Sequence, residues 1–258
     1  MKISVIGAGN MGGAIARALI RIPDISISDI TCTARSSETL KRLSETGFNV
    51  TSDNREAVRN ADMVVIAVKP WLMEEVVKDL APALEKGGHI VVSVAAGISF
   101  SQLALWLGAD HVLFRVIPNT AIETGSGVTF ISSYNANENQ RQCVVDMFSK
   151  MGYALEVEEP MMAAGTALAS CGIAYAMKYI QAAAAGGEGL GFDACQAQKI
   201  VEYTVRGAAD LLLATGNAPQ IEIDKVTTPG GMTEKGLAAM EDSGFSQAVE
   251  NGLKACLK

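Results

Sequence analysis

Through the first 158 residues, short apolar runs alternate with segments whose apolar positions recur at helical spacing. Ile3-Ser4-Val5-Ile6 predicts a strand, and Met11, Ala14, Ile15, Ala18 and Leu19 share one face of a helix behind it. Ile27–Thr33 predicts a second strand, followed by a helix through Leu43 that Ser37 can start and Gly47 ends. Phe48–Thr51 predicts a third strand, with Asp53 or Asn54 capping a helix that runs to Asn60. Met63–Ala67 is apolar throughout, as a strand covered on both faces should be, and Pro70 is placed to begin the next helix. Ile90–Ser93 and His111–Ile117 predict strands five and six, separated by a helix that opens with a Ser99/Gln102 capping box. The connection from there to Gly127–Ser132 is too short for a parallel crossover, so the seventh strand should reverse direction. A helix from about Asn137 to Met151, ended by Gly152, and a strand over Tyr153–Val157 complete the series.

The pattern changes at Glu158-Glu159-Pro160, where no further strand is evident. Met161–Ala185 and Asp193–Thr215 read as long helices joined by the glycine-rich stretch 186–191. Shorter helices follow over Glu234–Glu241 and Phe245–Leu257. The expected fold class is α/β: a Rossmann dinucleotide-binding domain over 1–158, then an all-helical dimerisation and substrate-binding domain over 159–258. The first long helix is apolar or small around nearly its whole circumference and needs cover on all sides. A second copy of the chain is the expected cover, with Gly165, Ala169 and Gly172 allowing close approach; a compact monomer is the rival. Pro160–Met177 carries no charge and nears the ~20 residues of a membrane span. Its Ala, Gly, Ser and Thr content makes insertion weakly favourable, so it reads as a helix buried in protein.

The clearest chemistry lies in Gly7-Ala8-Gly9-Asn10-Met11-Gly12, between the first strand and the first helix. There the first glycine permits a tight turn, the second lets a pyrophosphate approach the backbone, and the third lets helix pack on strand. The N–H groups of the helix start then hold phosphate oxygens. The later strands favour this reading over a plain glycine-rich loop or a leader starting at Lys2. Where NAD-binding folds place a ribose-binding carboxylate, this chain has Arg35-Ser36-Ser37, which suits the extra phosphate of NADP. The plain alternative is a surface Arg before a helix cap. Asn54 is placed to meet the adenosine, and Lys69 stands near the cofactor unless it is a solvated strand end. Val94-Ala95-Ala96 leaves room for the nicotinamide side. A second helix start, at Gly231, Met232 and Thr233 after Pro229-Gly230, offers another anion site; a Pro-Gly turn capped by Thr233 is the alternative.

With 49% hydrophobic and 19% charged residues the chain can bury a sizeable core, and a net charge of −7 argues against nucleic acid. Five scattered cysteines without a Cys-x-x-Cys pair suit a reduced, cytoplasmic protein. The two histidines, His89 and His111, stand apart from any cysteine or carboxylate cluster, so neither a metal site nor a Ser-His-Asp triad is expected.

Taken together, these motifs resemble the pyrroline-5-carboxylate reductase family along the whole chain. Gly7–Gly12, Ala67-Val68-Lys69-Pro70, Ala95-Ala96-Gly97, Pro118-Asn119-Thr120 and Thr227–Thr233 stand in the family's order, the Pro229-Gly230-Gly231 loop being the most specific. The resemblance implies a helical domain that interlocks with a partner's, and NAD(P)H reducing a cyclic imine to proline. Carried over by position, Gly7, Ala8, Gly9, Asn10, Met11, Gly12, Arg35, Ser36, Asn54, Ala67, Val68, Lys69, Pro70, Val94, Ala95 and Ala96 would hold the cofactor, NADPH before NADH. Thr228, Gly231, Met232 and Thr233 would hold the substrate's carboxylate and ring nitrogen, with the Thr233 hydroxyl closest to the chemistry. In the family this loop can come from the partner subunit. The chain departs from the common pattern at Ala121, Ile173, Gly216, Lys225, Thr228 and Met232-Thr233, which bears on substrate fit more than on reaction type.

Hydride transfer to an imine whose nitrogen can already be protonated needs orientation rather than a strong acid, which fits the lack of a plausible histidine base. A hydroxyacid dehydrogenase of the same architecture would need a base, for which Lys178 is the candidate. A non-catalytic NADPH-binding sensor is the rival from outside enzymology.

Overall fold

The computed structural model describes residues 1–84 and 88–257, and the chain divides into two compact units, Met1–Ser170 and Cys171–Lys258. The first unit is built on one sheet of eight strands: β1 (Ile3–Ile6), β2 (Ile30–Thr33), β3 (Asn49–Thr51), β4 (Met63–Ile66), β5 (Ile90–Ser93), β6 (Val112–Pro118), β7 (Gly127–Tyr134) and β8 (Gly152–Glu156). Their order is β3-β2-β1-β4-β5-β6-β7-β8. The chain grows outward from β1 in one direction and then, from β4, in the other. That reversal opens a crevice beyond the carboxyl ends of β1 and β4. β1 to β6 are parallel, and β7 runs antiparallel to β6 with Ile117 opposite Phe130, as the short connection requires.

Helices cover both faces, which is why every residue of β1 and β4 is buried. On one face α1 (Asn10–Leu19) contributes Ile15 and Leu19 to a core with Phe114, and Phe148 comes from a later helix over Glu138–Ser149. α2 (Ser37–Glu45) adds Leu43 to the same core. The other face is closed by α3 (Asn54–Val58), α4 (Met73–Leu80) and α5 (Phe100–Leu107), where Val58, Met73, Leu80 and Leu103 pack on Val64 and Ile66. The helix over Glu138–Ser149 is α6, capped by Asn137 and Gln140.

Three expectations change. Ile27–Asp29 is a 3-10 turn rather than strand, because Ser26 and Asp29 satisfy the backbone locally through a capping box. The stretch Gly186–Gly189 is helical rather than a loop. A Cβ at Gly187 would stand 3.1 Å from that of Ala197, so small size there serves packing between neighbouring helices, and Gly191, at φ +104, makes the turn. The two compact units divide at 170/171. After Glu159, α7 (Met162–Gly165) and a π-helical turn over Thr166–Cys171 lie on the sheet, where Met162 and Ala169 pack with Ile117 and Phe130. Gly165 and Ala169 therefore meet their own sheet rather than a second copy: a Cβ at Gly165 would fall 2.7 Å from the Phe130 ring.

The second unit is all helical: α8 (Gly172–Gly189), α9 (Ala194–Thr215), α10 (Pro219–Val226), α11 (Met232–Asp242) and α12 (Phe245–Ala255). α10, which the apolar pattern does not announce, begins with Pro219 in its first turn, the place where a missing N–H costs nothing. α8 and α9 form an antiparallel hairpin in which Ala184 and Ala197 are the buried residues. Met177 and Tyr179 on α8 are 56% and 42% exposed, so the expected burial of the first long helix is not achieved within the single chain. One stretch, Glu159–Gly189, is long and apolar enough to cross a membrane by length and composition.

Candidate active site

The glycine motif sits at the turn from β1 into α1. Gly7, at φ +86, donates its N–H to Thr33 Oγ1 at 3.1 Å, and Ala8 donates to the Thr33 carbonyl at 2.7 Å. A Cβ on Gly7 would stand 2.7 Å from Val68 Cγ1, and one on Gly12 would stand 2.5 Å from the Gly7 carbonyl oxygen and 3.0 Å from Ala67 Cβ. Gly9 has nothing within 4 Å of its would-be Cβ. Packing therefore demands two of the glycines, while the middle one keeps the approach from solvent clear. Asn10, Met11 and Gly12 form the first turn of α1, whose N–H groups have no acceptor inside the helix. That turn carries no acidic residue and Gly9 offers no side-chain cap, so an anion fits the cradle.

The carboxyl ends of the parallel strands bring the other predicted cofactor residues to the same edge. Arg35, just beyond β2, is exposed and makes no ion pair among the described residues. Ser36 is the N-cap of α2, its Oγ accepting from the Thr39 N–H at 3.4 Å, so the cap falls on Ser36 and not on Ser37. Asp53 caps α3 through Arg55 and Glu56, which leaves the side chain of half-buried Asn54 uncommitted to capping. Ala67 and Val68 follow β4 and touch the glycine turn, while Lys69 is exposed and Pro70 opens a 3-10 turn. Beyond β5, Val94 is half-buried, Ala95 buried and Ala96 exposed, before Gly97 turns the chain at φ +80.

Two clamps on this edge escape motif reading. Arg17 in α1 holds Glu123 through both carboxylate oxygens, at 2.7 and 3.1 Å, and Arg21 Nη1 reaches the Glu123 carbonyl at 2.8 Å. The Arg17 guanidinium holds the Glu123 carboxyl below its usual range. The turn Thr120–Thr124 after β6 is thereby tied to the cofactor helix. Asn119 is buried in that turn, and its Oδ1 accepts from the Ala121 and Val128 N–H groups at 3.2 and 3.3 Å. Arg115, in the middle of β6, pairs with Glu159 at 2.8 Å, and the same oxygen of Glu159 accepts the Phe100 N–H at 2.7 Å. That bond fixes the start of α5, the far end of the Val94–Ser99 loop. A charge inside an otherwise apolar strand was the visible signal for Arg115; its partner, more than forty residues on, was not.

In the second unit, the Thr228–Thr233 segment leads into α11 with Gly231 as N-cap and Gly230 at φ +70. Gly231 donates its N–H to the Thr228 carbonyl at 2.8 Å, and Gly230 donates to the Glu234 carboxylate. The expectation that Gly231 supplies a free N–H is therefore corrected: the loop bonds to itself there. Gly231 is needed for shape, since a Cβ would stand 2.8 Å from Thr228 O. Met232 and Thr233, the first two residues of α11, retain N–H groups without a helical acceptor, and Met232 is 92% exposed. Thr233 lies inside the helix and is not its cap. Lys178 is exposed on α8 and donates to Gln181 at 2.9 Å, a solvated position ill suited to a buried general base.

The doubly wound sheet with a glycine cradle at its switch point defines a dinucleotide-dependent oxidoreductase. Residues 159–258 match the family described as pyrroline-5-carboxylate reductase dimerisation, and residues 2–97 match the one described as NADP oxidoreductase, coenzyme F420-dependent. Pyrroline-5-carboxylate reductase 1 of Dictyostelium discoideum is 34% identical over 97% of this chain, which spans 48% of that longer protein. The Arabidopsis thaliana pyrroline-5-carboxylate reductase is 35% identical, with 100% of this chain and 93% of that one covered. The Plasmodium falciparum pyrroline carboxylate reductase, solved with NADP bound, has a TM-score of 0.90 at 26% identity, covering 100% of this chain and 95% of that one. The chain belongs to the pyrroline-5-carboxylate reductase family.

Proposed function

We propose that this protein reduces 1-pyrroline-5-carboxylate to L-proline with NADPH, as a cytoplasmic homodimer. The observation that carries the reading is the glycine cradle at β1–α1, with Arg35 beyond β2 making no ion pair among the described residues, in a chain matched to one reductase family from end to end. Bound at this cradle, NADPH would supply the hydride. Gly7 to Gly12 would receive its pyrophosphate and Arg35 with Ser36 its 2′-phosphate. Asn54 would meet the adenosine, and Ala67 to Pro70 with Val94 to Ala96 would border the rest.

In the second unit, the N–H groups of Met232 and Thr233 would anchor the substrate carboxylate at the start of α11. The Thr228 and Thr233 hydroxyls would border that anion site, and Thr233 would hydrogen-bond the ring nitrogen. The chain need not deliver a proton from a strong acid, because the imine nitrogen can bind in its protonated form; its work is orientation. No observation favours Lys178 as a base for a hydroxyacid. The homodimer would form through α8 and α9, whose exposed apolar residues call for cover by a second copy.

The test is NADPH absorbance after addition of pyrroline-5-carboxylate, with proline identified as product. Rapid, substrate-dependent oxidation supports the proposal. Tight NADPH binding without turnover would instead assign the chain to a sensor role.

A further inference from the structure

Part of the sheet in the first unit is polar where burial would favour apolar residues. Ile3, Val5, Ile30 and Cys32 belong to the core on the α1 face, so the strand period of two turns Ser4 and Thr31 to the face that α3 covers. The register sets Ser4 beside Thr31 and Thr31 beside Asn49, a row of three polar residues across three strands. On the same face β4 carries Val64 and Ile66. Ser4 Oγ donates to the Ala57 carbonyl, and Asn49 Nδ2 donates to the Ser28 carbonyl at 2.7 Å. The hydroxyl of Thr31, half-buried in the middle of the row, has no hydrogen-bond partner among the described residues. A cavity of about 340 Å³ opens on this row, within the range of small-molecule sites. Lys2, Asp29, Thr31, Thr51, Glu56 and Asn60 are among the residues that line it, and none of the residues proposed for NADPH or substrate is. Each carboxylate gives one oxygen to the fold: Asp29 Oδ2 accepts the Ser26 N–H at 3.1 Å, and Glu56 Oε2 accepts the Thr51 hydroxyl at 2.7 Å. Asp29 Oδ1, Glu56 Oε1 and the Lys2 ammonium have no partner among the described residues.

We propose that this cavity is a binding site for a small amino acid that carries a second amino group. The wall offers one cation and two carboxylates, each with unspent hydrogen-bonding capacity. A ligand with one carboxylate and two ammonium groups answers them one for one, through charge-assisted hydrogen bonds. Its carboxylate would meet Lys2, its two ammonium groups Asp29 and Glu56, and the Thr31 hydroxyl and Asn60 amide would take the donors and acceptors left over. A simple zwitterion would leave one carboxylate of the wall unanswered, and a diamine would leave Lys2 unanswered. Inorganic anions are opposed by the two carboxylates. The site is separate from the proposed reduction: it holds no group placed against the cofactor or the imine.

The experiment is calorimetric titration of the full chain with L-lysine, with cadaverine, which lacks its carboxylate, and with L-norleucine, which lacks its second amine. The expected result is saturable one-to-one binding of L-lysine, with each of the other two weaker by about tenfold or more, the loss of one charge-assisted contact. This series uses the unaltered protein and does not depend on any variant folding. Glu56→Gln keeps an acceptor for the Thr51 hydroxyl and should weaken L-lysine by about the same factor, with a native circular dichroism spectrum. Lys2→Met should do likewise, and Thr31→Val, which keeps the shape and removes the hydroxyl, should weaken it as well. Saturating NADPH should leave L-lysine binding in place. No binding of L-lysine would overturn the proposal, as would cadaverine or L-norleucine binding equally well. Unchanged affinity in a folded Glu56→Gln, or loss of L-lysine binding on addition of NADPH, would place the ligand elsewhere and overturn it too.

Discussion

The Gly7 carbonyl oxygen and the α-carbon of Gly12 are packed so closely that a single added methyl would stand 2.5 Å from that oxygen. This contact seats α1 on the turn from β1 and aims the helix start at the crevice. Gly12→Ala must push the helix away, against backbone rather than a yielding side chain. Overpacking of this kind costs about 1–3 kcal/mol. The expected outcome is a lower urea midpoint and NADPH binding weaker by at least tenfold. Gly9→Ala, with open space around it, should keep the stability and lose cofactor affinity alone. Equal stability losses in both variants, by urea titration, would contradict the division of roles.

Arg35 stands exposed beyond β2 without an ion pair among the described residues, so its guanidinium is available to a phosphate. A charge-assisted hydrogen bond contributes roughly 1.5–3 kcal/mol. Arg35→Ala should therefore weaken NADPH by about ten- to a hundredfold and leave NADH nearly unchanged. Parallel fluorescence titrations with the two cofactors decide it, and matched losses would remove Arg35 from the 2′-phosphate site.

Much of this arrangement was legible because it rests on local rules. Alternating runs place the strands, the Ser99/Gln102 pair caps α5, and the short 118–127 connection forces β7 to reverse. Long-range partners were not legible. Glu159 reads as a boundary residue in sequence, yet it bonds Arg115 and Phe100 and binds the following segment to the sheet. Ala169 and Gly165 read as a small-residue seam for another helix, whereas they meet Phe130 and its neighbours. Small residues announce close approach without naming what approaches. Gly187 misled for the same reason: it sits inside a helix, where Ala197 crosses close by.

That correction changes how the homodimer should be tested. Ala169 is buried in its own unit, so Ala169→Asp would damage folding whatever the oligomeric state. Met177, 56% exposed on α8, is the better probe. Met177→Asp should leave the single chain folded, but would bury an unpaired charge in a dimer contact. Light scattering at micromolar concentration should show a dimer for the wild type and a monomer, with native circular dichroism, for the variant. A wild-type monomer would refute assembly through this helix.

Thr233 gives the sharpest test of the substrate site. Because Gly231 bonds back to Thr228 and Gly230 bonds to Glu234, the anion site narrows to the N–H groups at Met232 and Thr233, with the Thr233 hydroxyl at its edge. In the proposed binding mode, a carboxylate on those N–H groups would bring the ring nitrogen of an amino-acid-like substrate within reach of that hydroxyl. Thr233→Ala keeps the backbone donors and removes only the hydroxyl. If the hydroxyl bond strengthens as the imine becomes an amine, the loss falls on kcat as well as on KM. Its size should be about 1.5–3 kcal/mol for a charged nitrogen. NADPH affinity should not move, since the cradle at Gly7–Gly12 is untouched. The variant should also remain folded, because the N-cap of α11 is Gly231 and Thr233 caps nothing. Thr233→Ser restores a hydroxyl and should recover most of the activity. Full activity of the alanine variant on pyrroline-5-carboxylate would place the nitrogen's partner elsewhere in the site.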